Sequence, residues 1–212
     1  SLAAYCDDML EFTLKSAYNS AKNKENIFFG VVDQNYENQR ELIKTLNFSE
    51  QIRYCHTFPD DTLGVSWARH LVFSLYDNEE YFLQVDSHTY FEENWDENLI
   101  NQYEVLLKKS QKPIISTYPY GFSLDEYGEV IYKKPSGKSV LVLRPKEECT
   151  LSKDSFVLQF RAKHITSNEA ITGCHIAAGF LFTKGSFIEE IPYDPYLYFH
   201  GEEQSLSLRA FT

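Results

Sequence analysis

The sequence contains no run of about 18 apolar residues, the least a bilayer-crossing helix needs, so no segment is read as spanning a membrane. Positive charge is also scarce: 20 basic side chains stand against 31 acidic ones, a formal net charge of −11. A chain so charged repels a phosphate backbone, which argues against nucleic acid as its partner. There is no C-x-x-C pair, and the four cysteines (Cys6, Cys55, Cys149 and Cys174) lie far apart. In Cys55-His56 and Cys174-His175 the two residues are adjacent, so on a strand their side chains point to opposite faces and do not grip one zinc ion. Buried, reduced thiols are expected, and with them a reducing compartment, the cytoplasm. The signatures G-x-G-x-x-G, G-x-x-x-x-G-K-[ST] and H-E-x-x-H are all missing, which removes the common dinucleotide, P-loop and zinc-protease readings. Asn47-Phe48-Ser49 fits the N-glycosylation pattern, but a triplet this short carries no weight. No leader pattern is present, yet the sequence opens at Ser1 rather than at methionine. The expectation is one catalytic domain over residues 1–212, trimmed at both ends.

What is present is core material. Apolar residues make up 43% of the 212, including 16 phenylalanines and 15 tyrosines. A folded chain of this size hides roughly 70% of the surface it would expose unfolded, so disorder is not expected. Short β-rich runs at Ser1–Tyr5, Ile27–Val32, Ile52–Phe58, Tyr81–Val85 and Ile114–Thr117 alternate with helical patterns. The helices are expected over Asp8–Lys22, Asn35–Leu46, Val65–Tyr76 and Glu97–Lys109. Such alternation predicts an α/β fold, a mostly parallel sheet with helices on its faces. After Pro119 the texture changes. Gly121, Gly128 and Gly137 punctuate short segments at Val130–Lys133, Ser139–Leu143, Phe156–Ile165 and Ile176–Thr183, which predicts added antiparallel strands. Glu202 and Glu203 read as the acidic start of a last helix.

The stretch that bears on chemistry is Tyr81-Phe-Leu-Gln-Val-Asp-Ser-His88, an apolar strand running directly into Asp86-Ser87-His88. Residues i and i+2 of a strand share a face, so Asp86 and His88 could grip one divalent cation, their oxygen and nitrogen suiting Mn²⁺. The carboxyl ends of strands are also where open α/β sheets bind ligands. Two protein ligands leave coordination positions free for diphosphate oxygens. An aspartate capping a turn beside a surface histidine would give the same letters.

The chain resembles GT-A fold glycosyltransferases, and specifically the UDP-GlcNAc-dependent polypeptide (hydroxyproline) N-acetylglucosaminyltransferase family, whose best-known members modify a cytosolic ubiquitin-ligase adaptor. The resemblance runs through Ala3–Asp7, Phe29–Gln34, Ser66–His70, Gln84–His88, Ala178–Phe182, Ile191–Pro195, Phe199–Glu203 and Arg209–Thr212. It implies a Rossmann-like sheet and a retaining, metal-dependent transfer of GlcNAc from UDP-GlcNAc to a hydroxyl, plausibly on a protein side chain. It implies Asp86 and His88 as metal and diphosphate ligands, and a third ligand that no residue here can be assigned to. Tyr5 and Asp7 would line the uridine pocket, Gln34 would pair with a base edge, and Arg69 would face the pyrophosphate. Gly179 would let a ligand approach the backbone, although a tight strand crossing also explains a glycine there. Glu202 or Glu203 would hold a sugar hydroxyl or take the acceptor's proton. Tyr118, Tyr120, Tyr193, Tyr196 and Tyr198 could form an aromatic wall. Two alternatives stay open: another nucleotide sugar used to build a glycan, and a non-catalytic sugar-nucleotide or carbohydrate-binding module.

Overall fold

The computed structural model describes residues 1–132, 139–146 and 158–212. Its elements in chain order are β1 (Leu2–Tyr5), α1 (Leu10–Ser20), β2 (Phe29–Gln34), α2 (Arg40–Lys44), β3 (Ile52–Thr57), α3 (Val65–Phe73), β4 (Tyr81–Asp86) and α4 (Trp95–Leu107). There follow β5 (Ile115–Ser116), β6 (Ser123–Leu124), β7 (Val130–Ile131), β8 (Ser139–Pro145), β9 (Phe160–Thr166), β10 (Phe180–Lys184), α5 (Phe187–Glu190) and α6 (Glu202–Phe211). Six strands form the central sheet in the order β3-β2-β1-β4-β10-β5. Strands β1 to β4 run parallel, and β10 lies antiparallel between β4 and β5. The hairpins β6–β7 and β8–β9 stand outside it. The α/β, Rossmann-like architecture expected of a GT-A fold is what the chain adopts.

Helices cover both faces because the strands are apolar on both, as buried parallel strands must be. On one face α1 presents Leu10, Leu14 and Ala17, one helical stripe, to Leu2, Ala4, Phe29, Val31 and Val85. Each fully buried leucine, valine or phenylalanine among them contributes about 1.5–3 kcal/mol. On the other face α3 sets Ala68 and Val72 against Val32. A second cluster there joins Phe73 and Phe82 to Leu181, Phe187 and Leu206, which docks α5 and α6. Gly64, at φ +106°, opens α3 with no room for a side chain: a Cβ would run into the carbonyl of Tyr198. That carbonyl accepts the N–H of Val65, so the chain before α6 is stapled to the start of α3.

Several expected boundaries move, each for a local reason. The helix expected over Asn35–Leu46 is only Arg40–Lys44. Asn35 and Asn38 accept the N–H groups of Glu37 and Arg40 through their side chains, turns that compete with a helix. The strand expected at Ile27–Val32 begins instead at Phe29 and runs through the polar but buried Asp33 and Gln34. Ile176–Thr183 is a strand only from Phe180. Upstream of it the N–H groups of Ile176, Ala177 and Ala178 go to Ser207 Oγ, Ser116 Oγ and Glu203 Oε1, so no ladder can use them. The antiparallel addition to the sheet expected in the second half is β10, whereas the antiparallel pairs β6–β7 and β8–β9 form separate two-stranded sheets. Lys133, Gly137, Cys149 and the start of Phe156–Ile165 lie outside the described residues. The other three cysteines carry free thiols, but Cys6 and Cys174 are exposed rather than buried.

Candidate active site

Strand β4 ends at Asp86 between two neighbours. Ala3 of β1 lies beside it on one side. On the other, the antiparallel register that pairs Val85 with Phe180 carries Gly179 to the level of Asp86. A Cβ on Gly179 would lie 2.5 Å from Asp86 Oδ2. A side chain at this position would push the carboxylate aside, and Oδ2 lies in the space that the missing side chain leaves. The other oxygen, Oδ1, accepts a hydrogen bond from Arg69 Nη2 at 2.9 Å.

Arg69 comes from α3 and is buried, its side chain 7% exposed. Its second terminal nitrogen, Nη1, donates to Glu202 Oε1 at the start of α6, and Glu202 is itself only 4% exposed. Ser66 Oγ stands 3.5 Å from the other oxygen of Glu202. One guanidinium thus ties the end of β4 to the last helix, and both of its ends are used on carboxylates. Buried pairs of this kind are costly to break singly, because the survivor is left as an uncompensated charge.

Glu203, one residue on, is placed differently. Its Oε1 accepts the N–H of Ala178 at 3.1 Å, and it lines the cleft. Burial pushes its carboxyl above the ordinary value, against the opposing pull of the Ala178 N–H and the Arg69 charge.

His88 lies just beyond β4, so the two-residue strand periodicity does not govern it. Its ring Nδ1 sits 2.8 Å from Asp7 Oδ2, and the side chain is 63% exposed. Asp7 also accepts Ser87 Oγ–H at 2.5 Å and Met9 N–H at 2.9 Å. Burial alone would raise the Asp7 carboxyl, but the donors from Ser87, His88 and Met9 outweigh it and hold it below the usual carboxylate range.

These groups open on a cleft of about 1220 Å³. Arg69, Asp86, His88, Gly179, Glu202 and Glu203 line its sheet side, and Tyr118 and Tyr120 lie on its border. The opposite wall is the β8–β9 hairpin with its flanks, including Leu143, Lys146, Phe160 and Arg161. Nothing local in the sequence signalled that wall, since only the tertiary fold brings it over Asp86. Tyr5, Asp7 and Gln34 stand outside this lining. Tyr5 is exposed at the end of β1. Gln34 is buried and its amide is used within the chain: Nε2 donates to the Ala4 carbonyl at 2.9 Å, and Oε1 accepts Thr62 Oγ1–H at 2.5 Å. Of the aromatic residues, Tyr193 is buried with its hydroxyl 2.8 Å from Gln84 Nε2, whereas Tyr196 and Tyr198 are exposed.

Asp86 and His88 offer one oxygen and one nitrogen donor on the same cleft, with Asp86 Oδ2 seated in the notch at Gly179 and the His88 ring largely open. That donor set fits a borderline divalent ion. Among the described residues no cluster of three or more His, Cys, Asp or Glu side chains is placed to enclose a metal, so a closed structural site is not built there. No helix among them is long and apolar enough to cross a membrane.

None of the curated proteins compared with the chain matches it. The family model described as Glycosyltransferase (GlcNAc) matches residues 36–212, which carry β3, β4, β10 and both Glu202 and Glu203. With a Rossmann-like sheet, a cleft at its strand ends and that match over most of its length, the chain belongs to the GlcNAc glycosyltransferase family and is an N-acetylglucosaminyltransferase.

Proposed function

We propose that the enzyme transfers GlcNAc from UDP-GlcNAc to a hydroxyl on a protein side chain, with retention of configuration and with the help of a divalent ion, Mn²⁺ being best suited. We further assign it to the hydroxyproline-modifying, cytoplasmic branch of the family that its sequence blocks resemble. The observation that carries the metal-dependent part is the pairing of Asp86 and His88 on one cleft, with Gly179 leaving room for Asp86 Oδ2. An ion held there by Asp86 and His88 would supply charge neutralisation to the diphosphate oxygens.

The protein's own groups do the rest. Arg69 fixes the Asp86 carboxylate through Oδ1 and is itself held by Glu202. Glu203 lines the cleft, and serves to hold a sugar hydroxyl or orient the acceptor oxygen. Residues of the β8–β9 hairpin and its flanks line the cleft as well.

Calorimetry with UDP-GlcNAc, UDP-Glc and GDP-mannose, each with and without Mn²⁺, tests the donor and the metal together. UDP-GlcNAc with Mn²⁺ is expected to bind tightest, and Asp86→Ala to lose the Mn²⁺-dependent part while the protein stays folded. Equal binding of all three donors, or unchanged Mn²⁺ dependence in Asp86→Ala, counts against the reading.

A further inference from the structure

Asp7 follows β1 and His88 follows β4, the parallel strand beside it, so 81 positions of sequence separate two side chains that meet at one end of the sheet. Three donors converge on the Asp7 carboxylate: Met9 N–H on Oδ1, and Ser87 Oγ–H and His88 Nδ1 on Oδ2. A carboxylate has only acceptors to offer. Nδ1 of His88 therefore donates to Asp7, and in the neutral ring that arrangement leaves the lone pair on Nε2. The ring is 63% exposed and borders the cleft beside Asp86, whereas Asp7 is 15% exposed and lies behind it. Histidines that bind metals commonly give their other N–H to a carboxylate, which fixes the tautomer and the ring orientation.

From this juxtaposition we propose that Asp7 is a positioning residue: it holds His88 in the Nδ1–H tautomer with Nε2 presented to a divalent cation in the cleft. The inference rests on the proposed metal site at Asp86 and His88. It gives Asp7 a different task from contact with uridine, because the donors already gathered on its two oxygens leave it little to offer a ribose. It also explains why the carboxylate is set among donors from the segments that follow β1 and β4 rather than open to the cleft.

Two measurements test it on the whole chain. Nitrogen NMR of the His88 ring in metal-free protein reads the tautomer, and calorimetry with Mn²⁺ in the presence of UDP reads the site. Asp7→Asn keeps the shape but replaces an acceptor by a donor; Asp7→Ala removes both, with circular dichroism to confirm that it folds. The wild type is expected in the Nδ1–H form, and both variants to shift toward Nε2–H. Their Mn²⁺ affinity is expected to fall about 10- to 100-fold, with UDP affinity in chelator unchanged. Wild-type His88 in the Nε2–H form overturns the inference. So do Asp7 variants with wild-type Mn²⁺ affinity, whether or not they lose UDP, provided that Asp86→Ala has lost the metal. If Asp86→Ala itself binds Mn²⁺ and UDP like wild type, the metal site is wrong and this inference falls with it.

Discussion

The Asp86 carboxylate lies where a side chain on Gly179 would have to go, with Oδ2 only 2.5 Å from that Cβ position. The glycine is not at a positive φ, so backbone strain has no part in the requirement. Gly179→Ala is expected to fold and to displace the aspartate, weakening Mn²⁺-dependent UDP binding at least about tenfold, the order of effect seen when a ligand's support is lost. Calorimetry with the metal present, set beside a thermal melt, checks both halves.

Glu202 and Glu203 are expected to separate cleanly. Glu202→Ala leaves the buried Arg69 short of a partner and should cost about 3 kcal/mol or more of stability by chemical denaturation. Glu203→Gln keeps an oxygen for the Ala178 N–H, so it should fold normally and bind UDP as wild type does. Its transfer rate should drop roughly 100-fold or more, the scale of a positioned acid–base group. A wild-type rate in Glu203→Gln would remove it from the chemistry.

For Gln34 the outcome is structural. Its amide joins β1, β2 and Thr62, so Gln34→Leu strands the Ala4 carbonyl and the Thr62 hydroxyl. A loss of about 1–3 kcal/mol is expected, with UDP affinity of the folded fraction unchanged. A selective loss of uridine nucleotides at full stability would instead give Gln34 to the donor.

Asp96 at the start of α4 sets a pH dependence. Burial would raise its carboxyl, but hydrogen bonds from the backbone N–H groups of Lys22 and Asn23 and from the Asn23 amide hold it below the ordinary value. A depressed folded pKa means stability that is fully present above the unfolded value, near 4, and is lost as pH falls through the folded one. Wild type should therefore exceed Asp96→Asn by a constant margin from pH 5 to 8, shrinking below about pH 4 in urea titrations. A margin independent of pH down to 2 would contradict this.

The sheet was legible because its strands are apolar runs broken by helical patterns, and Asp86 was legible because it ends one of those runs. Neither needs knowledge of what packs where. The split between Glu202 and Glu203 does need it. Adjacent residues on a helix differ by about 100° in direction, and only the docking of α6 turns one onto Arg69 and the other onto the Ala178 N–H. Asp7 and His88 hid for a similar reason, since their pairing follows from β1 lying beside β4, which no local pattern announces. The segment from Asn35 to Asn38 misled in the opposite way: it was counted into a helix where its asparagine side chains make turns instead.

The antiparallel insertion of β10 has a consequence for how the enzyme is made. Gln84, two residues before Asp86, donates to the carbonyl of Ala178 across 94 residues of sequence. While the chain is being synthesised, β1 to β4 and their helices are complete long before the strand that backs Asp86 has left the ribosome. Until then β4 has a bare edge, which is open to unwanted pairing, and the nascent chain has the aspartate without its glycine notch. The surroundings of Asp86 are thus completed late, when β10 and α6 dock and bring Gly179 and Glu202 to it and to Arg69.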